Sequence, residues 1–600
     1  MGVGDGFWVR LRQRKLVQWS VAYVAGSFAL IQVLDVVAQR FGWPDRIEKL
    51  IILALVVGFF VVLVLSWYHG ERGAQRIGGT ELLIIALLLA IGGGALWVYA
   101  RAPQAATKLA VATAPQLVVP KPAATSTSVP LPSSAPEKSV AVLPFANESG
   151  RADEQFFSDG LSDDLINALS QFAGLKVISR NSAFQFRNSH DSSATIGTLL
   201  GVAHLLEGSV QRAGGEVRIT ATLVNAADGS ILWSQRYDKP YKDLFALQDD
   251  ITHSVAAALK AKLLTAPGVV VQSDRPPSGN LDAYAAYQLG IAYDALATEA
   301  GARQAIQAFT KATRLDPHYA SAYAKLSGNW VALAVQYASA DAMQAIAKAR
   351  AASRTALALD PDLAAAHLAR GQLLQNVDMD WRGAEAEAQH ALQLAPNDPL
   401  AQGLLATVKA ALGNNLRATE LTRLRIAQDP RSAGGYFGLS AYLTALDRLD
   451  DARQAIEKTI ALQSQGVANY EQLATIDILS GDARAALAAA KQESPGPWHD
   501  IAMALALQVG PDRAAADAAL NTLVTKYADT GPYQIAEAYA LRHDPDNMFK
   551  WLDHAWSARD PGISSLLSDP FILRYRDDPR FAAFCKKIGL PTTTDAIAMK

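Results

Sequence analysis

The second half of the chain carries a repeat that is marked by prolines. Leu-Asp-Pro occurs at residues 315–317 and 359–361, and related triplets occur at 394–396 and 428–430. The four prolines are 44, 35 and 34 residues apart. A period near 34 residues matches a pair of helices, and several such pairs must stack before their apolar faces are buried. The spacing predicts an all-α solenoid.

Small residues at two fixed distances before each proline test this interpretation. Tetratricopeptide repeats place small side chains 12 and 5 positions before the proline, where paired helices touch. Seven of the eight positions hold alanine, namely Ala305, Ala312, Ala349, Ala356, Ala384, Ala391 and Ala418, and the eighth is Arg425. The region therefore resembles a tetratricopeptide array, expected over residues 280–592, and its last part resembles the capping segment that protects the final repeat.

Such an array forms a superhelix whose concave face is lined by the first helix of each repeat. If Gly371 is the eighth position of its repeat, then Gln372, Gln375 and Asn376 point inward, as does Lys325 in the repeat before. We interpret these four residues as candidate contacts for a protein or peptide partner. The alternative is that each is an ordinary solvated polar residue.

The segment before the array has the alternation of β-strands. HLLEGSVQR, EVRITATLVN and SILWSQRYD are joined by AGG and AADG, and both connections carry the glycine that hairpins need for positive φ. SVAVLPFANESG and LKVISR add two strands, and helical spacing follows each of them. The order β-α-β-α-β-β-β-α predicts a small α/β domain with an antiparallel meander over residues 139–265.

Charged residues in this domain allow two interpretations each. Asp159, Asp163 and Asp164, in SDGLSDD, either collect a divalent cation or, as we favour, cap the start of a helix and suit its dipole. Three arginines either meet an anionic partner or pair with Glu216 and Asp238 across strands. These arginines are Arg180, Arg218 and Arg236.

A resemblance covers about 130 residues of this region. SVAVLPFANESG, FFSDGLSDDLINALS, LKVISRNSAFQFR and the meander resemble the TolB amino-terminal-like (FlgO-like) domain. That domain accompanies tetratricopeptide repeats in membrane proteins, sometimes behind an adenylate cyclase catalytic domain or a CadC-type DNA-binding domain. The resemblance implies a periplasmic interaction module without chemistry of its own.

Apolar runs at residues 16–37, 50–67 and 82–99 are each long enough to span a bilayer. Six Lys and Arg residues flank one side of these runs and four flank the other, which favours a cytoplasmic amino terminus. Three spans then place the following residues outside the cytoplasm. We expect an inner-membrane anchor over 1–101, a Pro/Ala/Ser/Thr-rich linker over 102–138 and both later domains in the periplasm.

Catalytic and metal-binding motifs are missing from the sequence. No HExxH, Walker A loop or GxSxG elbow occurs, and a single cysteine, Cys585, forms neither an intrachain disulfide nor a thiolate cluster. The net charge of -2 gives no pull toward nucleic acid. We therefore expect a non-enzymatic, membrane-anchored scaffold or sensor without a cofactor. The alternative is a regulatory subunit of a signalling system related to adenylate cyclase or CadC-type regulators, with catalysis or DNA binding supplied by a partner.

Overall fold

The computed structural model describes Ser27 and residues 135–151, 154–259, 262–263, 274–336, 341–464 and 466–597. The chain divides into two compact units, residues 1–127 and 128–600, and the elements below belong to the second. The predicted spans at 16–37, 50–67 and 82–99 lie outside the described residues, apart from Ser27. Among the described residues, no helix combines the length and apolarity that crossing a bilayer requires.

A mixed sheet forms the centre of the α/β domain. The strands are β1 (Ser139–Val142), β2 (Ala146–Asn147), β3 (Phe172–Ala173), β4 (Lys176–Val177), β5 (His204–Ala213), β6 (Glu216–Asn225), β7 (Ile231–Pro240) and β8 (Lys262–Leu263). Their order is β4-β1-β5-β6-β7, with β2 also beside β5, while β3 and β8 form a separate pair. β1 runs parallel to β4 and β5, and β5, β6 and β7 form the predicted antiparallel meander. The hairpin glycines, Gly214 and Gly229, have φ of 62° and 71°.

Four helices cover the two faces of this sheet. They are α1 (Gln155–Leu169), α2 (Arg180–Ala183), α3 (Ser193–Leu200) and α4 (Leu244–Ala258). α1 and α4 pack on one face, where Val217, Ile219 and Leu223 of β6 are at most 1 % exposed. α2 and α3 pack on the other face. Each such aliphatic side chain contributes about 1.5–3 kcal/mol by leaving water.

A series of helix pairs follows the α/β domain. The paired helices are α5 (Leu281–Asp294) with α6 (Glu299–Leu315), α7 (Ala320–Val331) with α8 (Ala342–Leu359), α9 (Ala364–Leu373) with α10 (Trp381–Leu394), α11 (Pro399–Ala411) with α12 (Asn415–Gln428), α13 (Ala433–Ala445) with α14 (Leu449–Leu462), α15 (Asn469–Leu479) with α16 (Ala483–Ala490), α17 (Pro497–Gln508) with α18 (Arg513–Tyr527), and α19 (Pro532–Leu541) with α20 (Pro545–Ser557). Two short helices follow, α21 (Pro570–Leu573) and α22 (Pro579–Ile588). We call the first helix of each pair the inner helix.

The small residues that the repeat pattern requires are buried between helices. All seven alanines are 0 % exposed, and each marker proline lies in the turn before an inner helix. The exception, Arg425, is accommodated by a glycine, because a Cβ at Gly403 would come within 2.7 Å of its Nη1. The helical repeat is therefore confirmed.

Two inner helices end in π-helical turns. Ala332–Gln336 continues α7, and Leu374–Asp378 continues α9. A π-turn adds a residue to the helical turn and so rotates the residues after it relative to an α-helix. The side chains at these two ends therefore depart from the face that α-helical spacing assigns to them.

The C-terminal segment, residues 561–597, does more than cap the last repeat. It packs on α19 and α20, but its end also returns to the middle of the array. There the backbone N–H of Asp595 donates to the carbonyl of Gly413 at 3.0 Å, and that of Ile597 donates to Ala445 at 2.7 Å. The segment therefore also joins the middle of the array, because the array curves until its end reaches α11 to α13.

Candidate functional site

The four residues predicted to bind a partner lie in three different environments. Lys325 lies on α7, and its positive charge acts both on Asp163 of the α/β domain and on Asp398 before α11. Gln372 lies on α9, with Oε1 3.6 Å from the point where a Cβ on Gly328 would be, so it packs between inner helices. Gln375 and Asn376 lie in the π-helical end of α9. Gln375 is half-buried, whereas Asn376 is exposed.

The α/β domain packs against the array through two contact patches, which together we call the docking interface. In the first patch, α1 crosses the inner helix α5. A Cβ at Gly160 would lie 2.6 Å from Cδ of Gln288, so this glycine allows the close approach. Tyr284 of α5 is 1 % exposed and belongs to the core of the α/β domain, with its ring 5.2 Å from that of Phe245.

Asp164 is the centre of this first patch. Its carboxylate accepts the hydroxyl of Tyr284, Nε2 of Gln248 at 2.8 Å and Nε2 of Gln288 at 3.2 Å. Burial raises the pKa of Asp164 to about 8, although the hydrogen bond from Tyr284 opposes that rise. Burial also raises the pKa of the neighbouring Asp163, although the positive charges of Arg180 and Lys325 lower it in part. Asp164 therefore keeps its proton to a higher pH than an exposed aspartate does.

These positions correct the capping interpretation of the three aspartates. α1 begins at Gln155 and has no acidic residue in its first turn. Asp159 lies one turn further along and pairs with Arg187 Nη2 at 2.7 Å. Asp164 lies a further turn along and contacts the array, whereas Asp163 lies 3.8 Å from Nε of Arg180 within the α/β domain. The prediction was wrong because the helix starts four residues before the aspartate cluster, at a position without a strong capping residue.

The second patch joins α2 to the turn before α13. Asp429 is 6 % exposed and accepts hydrogen bonds from Oγ of Ser182 and from Nδ2 of Asn181 at 3.1 Å. The N–H of Ser179 donates to the carbonyl of Gln428 at 2.8 Å, and that of Arg431 donates to Ser182 Oγ at 2.9 Å. Sequence reasoning marked the Gln-Asp-Pro triplet as a repeat turn but did not indicate that it holds another domain.

A second acidic group lies among the inner helices further along the array. Glu471 of α15 has a pKa raised to about 7 by burial, although a hydrogen bond from Thr475 opposes the rise. Burial also raises the pKa of Glu537 and that of Asp569, which are hydrogen-bonded to each other. Within the part of the chain that the structure describes, no group of three or more His, Cys, Asp or Glu side chains is placed to hold a metal ion.

Cys585 is a core residue of α22. It is 0 % exposed, and burial raises the pKa of its thiol to about 11. Because the thiolate is the reactive form, this environment makes the thiol inert at neutral pH.

The fold thus defines a class of protein, in which a small α/β module is fastened to an array of helix pairs. Residues 136–254 match the family model described as the second domain of HilA/YgeH-like transcriptional regulators. A putative adenylate cyclase 3 from Rhizobium meliloti (strain 1021) is 35% identical over 210 residues, which is 33% of this chain and 33% of that protein. The chain therefore spans about a third of the length of this relative.

Solved structures with similar helix arrays have low overall similarity. Pseudomonas aeruginosa pilF is 16% identical with a TM-score of 0.29, covering 36% of this chain and 98% of its own. PilW, a type IV pilus biogenesis factor, is 20% identical with a TM-score of 0.30, covering 40% and 99%. YrrB, a protein with a peptide-binding site, is 18% identical with a TM-score of 0.25, covering 36% and 99%. The assignment of a tetratricopeptide-like array rests instead on the helix pairs and buried alanines above.

Proposed function

We propose that the chain is a non-enzymatic scaffold that binds a protein or peptide partner through its repeat array. The support is physical: an array of helix pairs offers a long surface whose backbone is already ordered, which lowers the entropic cost of binding. We further propose that the chain is anchored in a bacterial inner membrane with both domains in the periplasm. That part rests on the apolar runs and charge bias of residues 1–101.

One observation carries the choice of binding site. Oε1 of Gln375 is buried and has no hydrogen-bond partner among the described residues, while the adjacent Asn376 is exposed. A buried amide oxygen without a partner costs about 1–3 kcal/mol, and a donor from a bound chain removes that cost. π-Helical turns also occur often at functional sites. The partner therefore contacts the end of α9.

The four predicted residues differ in what they already interact with inside the chain. The positive charge of Lys325 acts on Asp163 of the α/β domain and on Asp398 before α11, so it already interacts within the chain. Gln372, Gln375 and Asn376 lie on α9 and its π-helical end. The α/β domain lies against the array at the inner helix α5, through its helix α1.

Photocrosslinking in intact cells tests where the partner binds. A benzophenone amino acid at Asn376 should form a covalent adduct with a discrete partner protein. The matched control is Met343 on the outer helix α8, which is 81% exposed and should give no such adduct. Equal adducts from both positions, or none from Asn376, would contradict this site.

A triple substitution tests the energetic contribution of the same residues. Gln372→Ala, Gln375→Ala and Asn376→Ala together should weaken binding of the crosslinked partner about tenfold or more, roughly 1.4 kcal/mol. Melting should change little, because alanine favours helix and removes the buried unpaired oxygen. If affinity survives this change but is lost when residues 139–265 are deleted, recognition belongs to the α/β domain.

A second candidate function has support of its own. The α/β domain matches a domain of transcriptional regulators, and a third of the chain is related to a putative adenylate cyclase. On this proposal the chain is a regulatory subunit whose partner supplies catalysis or DNA binding. Deleting the chain should then change cellular cyclic AMP or the expression of a defined set of genes. A crosslinked partner that has neither activity would favour the plain scaffold.

A further inference from the structure

β7 is an edge strand whose outer side has no neighbour in the described part of the sheet. The N–H of Tyr241 donates to the carbonyl of Gly215 at 2.7 Å, which fixes the hydrogen-bonding phase of β6 and β7. In a strand, the backbone N–H and C=O groups of successive residues point alternately to its two sides. The odd-numbered residues of β7 therefore bond to β6, and Ser234, Arg236 and Asp238 direct their N–H and C=O groups outward.

Both ends of this edge are protected, but its centre is not. The register with β6 shifts between Leu223 and Val224, which leaves Leu232 without a partner residue. At the other end, Pro240 has no N–H to offer. Bulges and prolines are the usual means of blocking edge pairing, and here they bracket an open stretch from Trp233 to Lys239.

We infer that β7 pairs antiparallel with β7 of a second copy of this chain, around a two-fold axis at Tyr237. This register sets Arg236 opposite Asp238 of the second copy and, by symmetry, Asp238 opposite Arg236. Centring the axis on Arg236 or on Asp238 instead sets like charges against each other, and centring it on Gln235 sets Arg236 opposite serine. The charge pattern is therefore self-complementary only at Tyr237.

The backbone agrees with this register. Arg236 and Asp238 both direct their N–H and C=O groups outward, so the two opposed pairs form four backbone hydrogen bonds. Arg218 and Arg236 already bind Asp238 within one copy at 2.6 and 3.0 Å, so pairing extends an existing row of alternating charges. An unrelated extended peptide lacks this match, and for that reason the second copy is the occupant.

Tyr237 lies at the two-fold axis of this register. Its side chain is 7 % exposed, and its hydroxyl is buried without a hydrogen-bond partner in the described structure. On the axis, Tyr237 faces its own copy in a non-hydrogen-bonded pair, where the Cα atoms are about 4.5 Å apart and side chains are closest.

Disulfide formation tests the axis directly. Full-length chain carrying Tyr237→Cys, purified in detergent, should oxidise to a covalent dimer. Gln235→Cys is the control, because it lies opposite Lys239 and about four residues from its own copy. Failure of Tyr237→Cys to crosslink while Gln235→Cys does so would overturn the register.

Charge reversal tests the same interface without touching the buried tyrosine. A strand pair buries little area, so we expect a micromolar dimer of the full-length chain by light scattering. Arg236→Asp alone and Asp238→Arg alone should each raise the dissociation constant about tenfold or more. Mixed one to one, the two variants are complementary and should form a heterodimer. A monomeric wild-type chain, or variants that stay apart when mixed, would refute the proposal.

Discussion

The aspartate of the repeat turn binds a neighbouring segment of the chain at two positions. At Asp316 it accepts the N–H and Oγ of Ser278 at 3.0 and 2.7 Å, both from the segment that precedes the array. At Asp429 it accepts Ser182 and Asn181 of the α/β domain. An aspartate in the same turn therefore holds the segment before the array in one repeat and the α/β domain in another.

Asp429→Ala should loosen the docking interface. It leaves the fully buried hydroxyl of Ser182 and the amide of Asn181 without their acceptor, which costs about 1–3 kcal/mol. We expect hydrogen-exchange protection at the N–H groups of Ser179 and Arg431 to fall about 5- to 150-fold. Asp360→Ala is the matched control, because it occupies the same place in its repeat turn and its side chain accepts the local N–H of Asp362 at 3.1 Å. Equal effects from the two substitutions would show that Asp429 does not stabilise the docking interface.

At the scale of single elements, helix α12 depends on a residue far along the chain. Its first N–H groups, at Asn415 and Leu416, donate to the carboxylate of Asp595 at 2.7 and 2.8 Å. A carboxylate at this end also suits the helix dipole. The C-terminal segment that carries Asp595 thus stabilises a helix in the middle of the array.

Asp595→Ala should expose the start of α12. The loss of a capping acceptor costs about 0.5–2 kcal/mol, so the N–H groups of Asn415 and Leu416 should exchange several-fold faster. Asp577→Ala on the same segment, at an exposed position, is the control and should leave both N–H groups protected. Unchanged exchange in Asp595→Ala would show that the tail does not cap α12.

For the whole molecule, buried carboxyl groups make stability depend on pH. The folded chain holds a proton on Asp164 up to about pH 8 and on Glu471 up to about pH 7, whereas the unfolded chain releases them near 3.8 and 4.5. The folded state therefore binds more protons between these values. Stability is greatest below the unfolded pKa and falls as pH rises through the window, by at most about 1.4 kcal/mol per pH unit per group.

Urea titrations at pH 5.5 and pH 8.5 measure this dependence. The wild-type midpoint should be lower at pH 8.5. Asp164→Asn keeps the shape of the side chain without its titration, so it should reduce the difference between the two midpoints, and Glu471→Gln should reduce it further. Exposed Asp577→Asn is the control and should leave the difference unchanged. A midpoint that rises with pH would contradict protonation of these carboxyls in the fold.

Local patterns in the sequence determined the elements. The proline spacing and the alanines from Ala305 to Ala418 predicted the helix pairs, and the glycines at Gly214 and Gly229 predicted the hairpins, because each depends on neighbours within one repeat or turn. Arg425 broke the pattern, and only the structure shows that Gly403 makes room for it.

Long-range arrangement was decided by the tertiary structure alone. Asp164 meets Tyr284 of α5, Ser182 meets Asp429, and Asp595 meets Asn415, across 120, 247 and 180 residues. No periodicity encodes such contacts, since a polar residue on a predicted surface has the same local pattern whether it faces water or another domain. The face formed by the inner helices was therefore predictable as a surface. That the α/β domain covers part of this face depends on how the two folded domains pack together.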